Sequence, residues 1–309
     1  MKRLICMMLS VIMMLSLFSA CGGNGDDASE KQTEPVIEPS AVLSDGKTLK
    51  VLAIGNSFSN NTTDYLYDIA VAEGMTEVVI GRLYFGGCSV ERHARNARLN
   101  VAEYTYYKNT TGQWEQTVNA TLLYGLQDED WDIITLQQSS GNSGLPGTYE
   151  SVLDELITYV NANKTNPNAK LVWHMTWAYQ QDSEHKDFAN YGNDQLNMYD
   201  CIVKTTQEVI LPNEAFSCVI PAGTAVQNAR TSYFGDNLTA DGYHLNDLGK
   251  VITGYLWYAT FVGKTLDAVN LTRVTDYFEL SDSNKDVIMD AVNNALKKPY
   301  EVTQSSFAD

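Results

Sequence analysis

The length and charge of this chain limit the kinds of protein it can be. It has 309 residues and a formal net charge of −17 at pH 7, which argues against nucleic acid as a partner because phosphate-rich polymers would be repelled. About 260 residues follow a polar N-terminal region, without a Pro/Gly/Ser-rich linker or an internal repeat, so we expect one large domain.

The N-terminal residues are typical of a bacterial export signal. Two basic residues precede an apolar run from Leu4 to Phe18, and the sequence FSAC at residues 18–21 resembles a lipobox. Residues 1–20 are therefore predicted to be a lipoprotein signal peptide, with Cys21 as the lipidation site. An ordinary signal peptide and an uncleaved anchor are the alternatives, although the apolar run is short for a membrane-spanning helix.

The segment after the signal is predicted to be a flexible tether. Residues 21–47 are rich in Gly, Asp, Ser, Glu and Pro and cannot bury a core. The folded domain is therefore expected at residues 48–309. Acyl chains on Cys21 would hold this exported domain at the membrane of the cell envelope, on the cell surface or in the periplasm.

The first half of the domain alternates strand and helix patterns. Compact apolar runs predict strands at residues 49–54, 78–85 and 133–136. Helical spacing of apolar residues predicts helices at residues 65–72 and 90–99.

An aromatic-rich insertion at residues 104–117 interrupts this alternation. It has turn residues in its middle and is predicted to be a hairpin. Two roles remain open for its aromatic side chains. They either form a wall of a binding cleft or pack the hairpin against the rest of the domain.

The second half continues the alternation. Helices are predicted at residues 152–160, 195–210 and 251–262, and strands at 170–177 and 218–220. The whole pattern predicts an α/β domain with a five-stranded, mostly parallel sheet covered by helices on both faces. In such sheets, ligands bind beyond the carboxyl ends of the strands.

A serine and a histidine far apart in sequence are the parts that a serine hydrolase needs. Ser57 follows the first strand, and His244 lies three residues after Asp241. A serine hydroxyl becomes a good nucleophile when an imidazole takes its proton, and a carboxylate fixes the tautomer of that imidazole. Alternatively, Ser57 only caps the helix that follows it.

Four sequence blocks resemble, in order, those of the SGNH/GDSL hydrolase superfamily. They are GNSFS (55–59), GGCS (86–89), WDIITLQQSS (131–140) and DGYHLN (241–246). More narrowly, the chain looks like a bacterial lipoprotein branch catalogued as a domain of unknown function. The resemblance implies a flavodoxin-like three-layer α/β/α sandwich. It also implies a triad of Ser57 as nucleophile, His244 as general base and Asp241 as the residue that orients the base.

The resemblance further implies three hydrogen-bond donors for a developing oxyanion. They are the backbone N–H of Ser57, Gly87 and an asparagine side chain of the third block. In this chain QQSS stands where the family has Gly-x-Asn-Asp. Gln138 is predicted to supply the third donor, with Gln137 and Asn142 as alternatives.

Four other residues are assigned from their positions. Trp177 and Tyr179, at the end of the fourth strand, are predicted to line the substrate cleft. Arg230 either binds an anionic group of the substrate or pairs with an internal carboxylate. Asn56 stands where the first block commonly has aspartate, and this departure leaves the nucleophile, base and acid in place.

The other histidines and the cysteines do not indicate a metal site. His93 is expected at the surface or in packing, His174 in the core and His185 near a charged loop. No Cys/His cluster has zinc spacing, so neither a metal nor another cofactor is expected. Three cysteines remain besides those of the signal, so one disulfide at most is possible and apolar packing is favoured; they are Cys88, Cys201 and Cys218.

These patterns together predict an exported serine esterase of the SGNH type. It would remove a small acyl group, such as acetyl, from carbohydrate through an acyl-enzyme intermediate. Export, surface tethering and the aromatic residues are the indications of a glycan ester as substrate. The alternatives are a non-catalytic surface protein that binds glycan on a degenerate hydrolase scaffold, and a lipid or thioester hydrolase.

Overall fold

A seven-stranded sheet forms the centre of the computed structural model, which describes residues 42–308. Its spatial order is β4-β3-β2-β1-β5-β6-β7. The strands are β1 (Thr48–Gly55), β2 (Glu77–Tyr84), β3 (Tyr104–Asn109), β4 (Trp114–Ala120), β5 (Ile133–Leu136), β6 (Lys170–His174) and β7 (Phe216–Ile220).

Five of these strands are parallel and form the part of the sheet that the sequence predicts. β2, β1, β5, β6 and β7 pair in parallel in that order. The predicted hairpin, β3 and β4, adds two antiparallel strands to the β2 edge, so the sheet has seven strands where the sequence indicated five. Strands β1, β5 and β6 are almost wholly buried, as expected of parallel strands that are covered on both faces.

Helices cover both faces of the sheet. They are α1 (Ser57–Thr63), α2 (Leu66–Ala72), α3 (Val90–Leu99), α4 (Leu122–Gln127), α5 (Val152–Asn163), α6 (Gln195–Thr205), α7 (Ala222–Arg230), α8 (Asp247–Val262) and α9 (Asp282–Lys297). A π-helical turn, Thr206–Ile210, continues α6, and a small hairpin of β8 (Arg273–Thr275) and β9 (Phe278–Glu279) precedes α9.

The two helical layers follow from the direction of the crossovers. The connection from β1 to β2 runs towards one edge of the sheet, and those from β5 to β6 and β7 run towards the other. Because such crossovers are right-handed, α1 and α2 lie on one face and α5 and α6 on the opposite face. Consistently, α8 packs against α1, α2, α7 and α9, whereas α3, α4 and α5 pack against one another. The predicted three-layer α/β fold is confirmed.

The aromatic residues of the β3–β4 hairpin pack it against the domain. Tyr104 and Tyr106 are buried, and the guanidinium of Arg82 lies 3.5 Å from the centre of the Trp114 ring. Of the two roles left open by the sequence, packing is therefore the one that the structure supports.

Packing of the chain begins before the predicted boundary at Thr48. The backbone N–H groups of Leu43 and Ser44 both donate to the carbonyl of Phe261 at 2.9 Å. The predicted signal peptide, Cys21 and most of the predicted tether lie outside the described residues. Within residues 42–308, no helix combines the length and apolar character that crossing a membrane requires.

Two buried histidines make the domain sensitive to acid. His93 Nδ1 lies 2.8 Å from the hydroxyl of Tyr104, and His174 Nδ1 lies 2.9 Å from Gln137 Oε1. Both rings are about 1% exposed. Burial lowers the pKa of His93 and of His174 from 6.5 to about 3. Both side chains are therefore neutral in the folded protein.

We expect the free energy of unfolding to decrease as the pH falls below 6.5. The unfolded chain binds a proton at each histidine near that pH, whereas the folded protein does not until about pH 3. Stability should fall by about 1.4 kcal/mol per pH unit for each histidine. Urea titrations at several pH values between neutrality and about pH 5 measure this slope. His93→Phe should remove about half of it, and an unchanged slope in that variant would contradict the assignment.

Candidate active site

The carboxyl ends of the central strands are in register, which brings the sequence blocks to one edge of the sheet. Gly55, the last residue of β1, pairs with Tyr84 of β2, and Ile54 pairs with Leu136 of β5. Residues that follow these three strands therefore lie side by side at that edge. Ser57 begins α1 two residues after β1 ends.

Ser57, His244 and Asp241 form a hydrogen-bonded chain at this edge. Ser57 Oγ lies 2.7 Å from His244 Nε2, across 187 residues of sequence. His244 Nδ1 lies 2.7 Å from Asp241 Oδ2. With Nδ1–H donating to the carboxylate, Nε2 is the acceptor for the serine hydroxyl. In the residues predicted as a triad, His244 is thus within hydrogen-bond distance of both Ser57 and Asp241, in the order that proton transfer requires.

Asp241 is oriented by the backbone as well as by His244. Its Oδ1 accepts from the N–H groups of Tyr243 at 3.2 Å and His244 at 2.8 Å. Partial burial acts to raise the pKa of the Asp241 carboxyl, but these hydrogen bonds and the one from the His244 ring outweigh burial and hold the pKa below 3.8. Asp241 is therefore a carboxylate at neutral pH and can stabilise a protonated imidazole.

The loop that carries His244 is tied to two helices. The N–H of Leu245 donates to Asn61 Oδ1 of α1 at 2.9 Å. Asn246 caps α8, because its Oδ1 accepts from the N–H of Gly249 at 3.1 Å. The histidine is thereby held next to the helix that begins with the candidate nucleophile.

Asn56, and not Ser57, caps α1. Its Oδ1 accepts from the N–H of Phe58 at 3.0 Å, the bond expected of an N-cap side chain. The alternative role for Ser57 is therefore filled by its neighbour, and the serine hydroxyl is directed to His244 instead.

The Asn56 carboxamide also joins three segments beneath the serine. Its Nδ2 donates to the carbonyl of Cys88 at 3.1 Å, and its Oδ1 accepts from Gln137 Nε2 at 2.8 Å. Gln137 Oε1 in turn accepts from His174. An aspartate could not donate to Cys88, so asparagine at position 56 provides a contact that the common residue of the family would lack. Gln137 is fully engaged in this buried network and is not an oxyanion donor.

Two backbone N–H groups are available beside the serine. Within residues 42–308, no hydrogen bond uses the N–H of Ser57 or of Gly87. Gly87 has a φ of +63°, a left-handed conformation that glycine adopts without steric cost. Because Asn56 holds the carbonyl of the next residue, Cys88, the Gly87 turn is kept beside Ser57. Both groups remain candidates for oxyanion binding.

Gln138 does not join these donors. Its Nε2 donates to the carbonyl of Thr148 at 3.3 Å and to the Thr148 hydroxyl at 3.2 Å. Its Oε1 accepts from the N–H groups of Val90 and Ser139, both at 2.9 Å. The side chain is 0% exposed. The prediction that Gln138 is an oxyanion donor is therefore wrong. Its carboxamide forms hydrogen bonds that connect the start of α3 to the loop after β5.

Trp177 and Tyr179 do not line a cleft, contrary to the prediction, because both are 0% exposed. The indole N–H of Trp177 donates to the carbonyl of Tyr243 at 2.9 Å, and the ring stacks on Phe58 with centroids 4.2 Å apart. The hydroxyl of Tyr179 lies 2.8 Å from Ser140 Oγ. Trp177 thus supports the site from behind by contacting the neighbour of Ser57 and the neighbour of His244.

The half-buried ring of Tyr243 lies beside His244 instead, and the half-buried ring of His185 lies beside Tyr243. The ring of Tyr243 lies 4.2 Å from that of His244, and the ring of His185 lies 4.7 Å from that of Tyr243. Tyr243 directly precedes His244 in the fourth sequence block, and this adjacency is a signal by which it could have been found. His185 has no comparable signal, because its position depends on a separate loop.

The other polar residues considered from the sequence do not join the site. Arg230 is buried and its Nε lies 2.8 Å from Asp236 Oδ1, so it pairs with an internal carboxylate. In the described part of the chain, no group of three or more His, Cys, Asp or Glu side chains could hold a metal ion. The thiols in that part are all free; they are Cys88, Cys201 and Cys218.

Two surface cavities lie at opposite ends of the sheet. One, of about 370 Å³, includes Gly87 and therefore adjoins the candidate site. The other, of about 460 Å³, is lined at the amino ends of the strands by residues such as Thr48, Glu77 and Asp132. The larger cavity is thus separated from Ser57 by the length of β1.

Residues 50–276 match the family model DUF4886, a domain of unknown function. The chain belongs to the DUF4886 family. It is similar to the crystal structure of a DUF4886 family protein from Bacteroides uniformis, with 35% identity and a TM-score of 0.75 over 84% of this chain and 98% of that chain. None of the curated proteins matches it.

Two further solved structures are less similar to the present chain. A protein from Slackia heliotrinireducens, provisionally named an SGNH hydrolase, is 18% identical with a TM-score of 0.44, over 69% of this chain and 99% of that chain. A protein from Parabacteroides merdae, provisionally named a GDSL-like lipase, is 13% identical with a TM-score of 0.45, over 71% of this chain and 97% of that chain.

Replacing Asn56 by aspartate should loosen the Gly87 turn. The carboxylate loses the bond to the Cys88 carbonyl and faces that oxygen instead, so we expect unfolding to become easier by about 1–3 kcal/mol. Amide hydrogen exchange at Cys88, whose N–H donates to the carbonyl of Phe85 at 3.1 Å, should accelerate. Asn163→Asp is a matched control, because Asn163 donates to the carbonyl of Tyr159 far from the site. Equal effects of both substitutions on exchange in the turn would refute a connecting role for Asn56.

Proposed function

We propose that this protein is an exported serine esterase of the SGNH type that removes acyl groups, acetyl in particular, from carbohydrate. The observation that carries the proposal is the chain of two 2.7 Å contacts that links Ser57 to His244 and His244 to Asp241. The four sequence blocks supply independent support, since they contain each of these residues in the superfamily's order.

Acylation would begin with transfer of the Ser57 proton to His244 Nε2 as the oxygen attacks the ester carbonyl. Asp241 stabilises the resulting imidazolium through the Nδ1–H hydrogen bond. Oxygen develops negative charge as the carbonyl becomes tetrahedral, and the N–H groups of Ser57 and Gly87 are the donors proposed for it. Collapse of the intermediate then expels the alcohol, which takes the proton from His244 Nε2.

Deacylation repeats these steps with water as the nucleophile. His244 removes a proton from water, the acyl carbonyl is attacked, and Ser57 leaves with the proton returned by the imidazole. The side chains of Asp241 and His244 are 44% and 30% exposed, so water can reach the base. Neither Gln137 nor Gln138 adds a side-chain donor to the two backbone donors, so Asn142 is the alternative that is left for a third.

Carbohydrate is proposed as the carrier of the acyl group because of the side chains near His244 and the predicted export signal. The half-buried ring of Tyr243 lies next to the base, and the half-buried ring of His185 lies next to Tyr243. Aromatic rings of this kind pack well against the C–H faces of sugars. Export and lipidation at Cys21 would place the enzyme at the cell envelope, where glycans are abundant.

Replacing Ser57 by alanine should abolish turnover of an activated acetyl ester while the protein stays folded. Loss of the nucleophile is expected to lower kcat by a factor on the order of 10⁴ or more. Ser59→Ala is the matched control, because its hydroxyl donates to the Asn56 carbonyl and not to the base. Wild-type turnover by a folded Ser57→Ala protein would disprove the nucleophile assignment.

A fluorophosphonate probe distinguishes the esterase from a glycan-binding protein on the same scaffold. We expect covalent labelling at Ser57 in the wild-type protein and none in Ser57→Ala. A wild-type protein that binds glycan but is neither labelled nor active on acetyl esters would establish the binding function in place of the enzyme.

Replacing Asp241 by asparagine tests the role of the carboxylate in orienting the base. An amide cannot stabilise the imidazolium and can reverse the tautomer, so kcat should fall by about 10²- to 10⁴-fold. Steady-state kinetics on the activated ester measure this, with Asp182→Asn, at an exposed aspartate bonded to Gln180, as the control. Little change in the Asp241→Asn variant would show that the carboxylate is not required.

A further inference from the structure

A cavity whose wall includes two arginines adjoins the candidate active site. Its volume is about 370 Å³, and Gly87, a proposed oxyanion donor, is part of its wall. The remaining wall belongs to the loop after β2 and to the first turns of α3. The lining residues are Phe85, Gly87, Cys88, Ser89, Glu91, Arg92 and Arg95.

The cavity is held next to Ser57 by backbone pairing and by Asn56. The N–H of Phe85 donates to the carbonyl of Gly55 at 3.3 Å, and Asn56 Nδ2 donates to the carbonyl of Cys88. Gly87 therefore belongs both to the candidate oxyanion site and to the wall of this cavity.

Arg95 alone among the six arginines of residues 42–308 has no carboxylate within 4.0 Å. The five others are paired as Arg82–Asp64, Arg92–Glu103, Arg98–Glu155, Arg230–Asp236 and Arg273–Glu279. Arg95 makes one polar side-chain contact, from Nη1 to Asn96 Oδ1 at 3.3 Å, and it is exposed. Its guanidinium thus keeps most of its donors free at the cavity wall.

Two acidic residues lie near Arg95, namely Glu91, four residues earlier on α3, and Glu103, but neither forms an ion pair with it within 4.0 Å. Arg92 is neutralised by Glu103, with 2.5 Å between Nη2 and Oε2, and its guanidinium lies 5.1 Å from the centre of the Phe85 ring. Glu91 is the one acidic residue in the wall and also lies on α3. In a chain with a net charge of −17, an anionic substrate is repelled by most of the surface. The guanidinium of Arg95, which has no direct carboxylate partner, can nevertheless hydrogen-bond an anion directly.

We propose that Arg95 binds a carboxylate of the substrate, so that the preferred substrate is an acylated acidic sugar. This proposal rests on the esterase function and names its substrate class. The planar guanidinium offers paired N–H donors that match a carboxylate in a bidentate arrangement. Arg95 is in this view a specificity-determining residue that binds the sugar acid and takes no part in the proton transfers at Ser57 and His244.

A pair of substrates that differ only in charge tests the proposal. Mono-O-acetylated methyl glucuronoside carries a carboxylate where the corresponding methyl glucoside carries a hydroxymethyl group. We expect the wild-type protein to release acetate from the glucuronoside with the higher kcat/KM. Arg95→Ala should lower kcat/KM for the glucuronoside about tenfold or more, mainly through KM, and leave the glucoside unchanged. Arg95→Glu should lower it further.

Arg98→Ala is the matched control, because Arg98 lies one turn further along α3 and pairs with Glu155 outside the cavity. Equal kcat/KM for the two substrates in the wild-type protein would overturn the proposal. So would an equal loss on both substrates in Arg95→Ala, or an equal loss in Arg98→Ala.

A binding measurement separates this proposal from the esterase function. Calorimetric titration of methyl glucuronoside into the Ser57→Ala protein requires Arg95 but no catalysis. Binding that is lost in the Ser57→Ala, Arg95→Ala double variant supports the carboxylate site even if the wild-type protein hydrolyses no ester. Absence of binding, with Ser57-dependent turnover of a neutral acetyl ester intact, overturns the site and leaves the esterase standing.

Discussion

One buried carboxamide, that of Asn56, connects the three segments that follow β1, β2 and β5 beside the candidate nucleophile. It caps the helix that begins with Ser57, accepts from Gln137 after β5 and donates to the turn that contains Gly87. An aspartate could fill the first two roles, but a carboxylate has no hydrogen for the carbonyl of Cys88. The parallel sheet brings the three segments level, and this side chain sets the distances between them.

His244 depends on a second set of contacts that is mostly separate from the first. Its loop is bonded to α1 and continues directly into α8. Trp177 is the link between the two sets, because its ring stacks on Phe58 and its N–H holds the carbonyl of Tyr243. The Trp177 side chain, buried behind the site, therefore contacts the residue that follows Ser57 and the residue that precedes His244. Residues distant in sequence are held at 2.7 Å because rigid packing, and not the exposed loop alone, fixes their separation.

Much of the fold could be predicted, because buried parallel strands are short apolar runs that local pattern reveals. The same reasoning did not find four helices of the described residues, α1, α4, α7 and α9. α7 consists largely of small residues, and its faces differ little in hydrophobic character. α9 could have been recognised, because it has a capping serine, Ser281, and an apolar stripe. The pairing of the β3–β4 hairpin with β2 was not predictable, since it depends on contacts such as that of Arg82 with Trp114, which are distant in sequence.

The sequence by itself determined which residues could carry the chemistry and at which edge of the sheet they would lie. Ser57, His244 and Asp241 were predicted in this way, from their residue types and from the resemblance of the sequence blocks that contain them. Only the tertiary structure decided the direction of the neighbouring side chains. Gln138 turns to Thr148 and Trp177 turns inward, because beyond the end of a strand no regular alternation dictates orientation. There, contacts with distant segments decide whether a polar side chain faces the substrate or is buried.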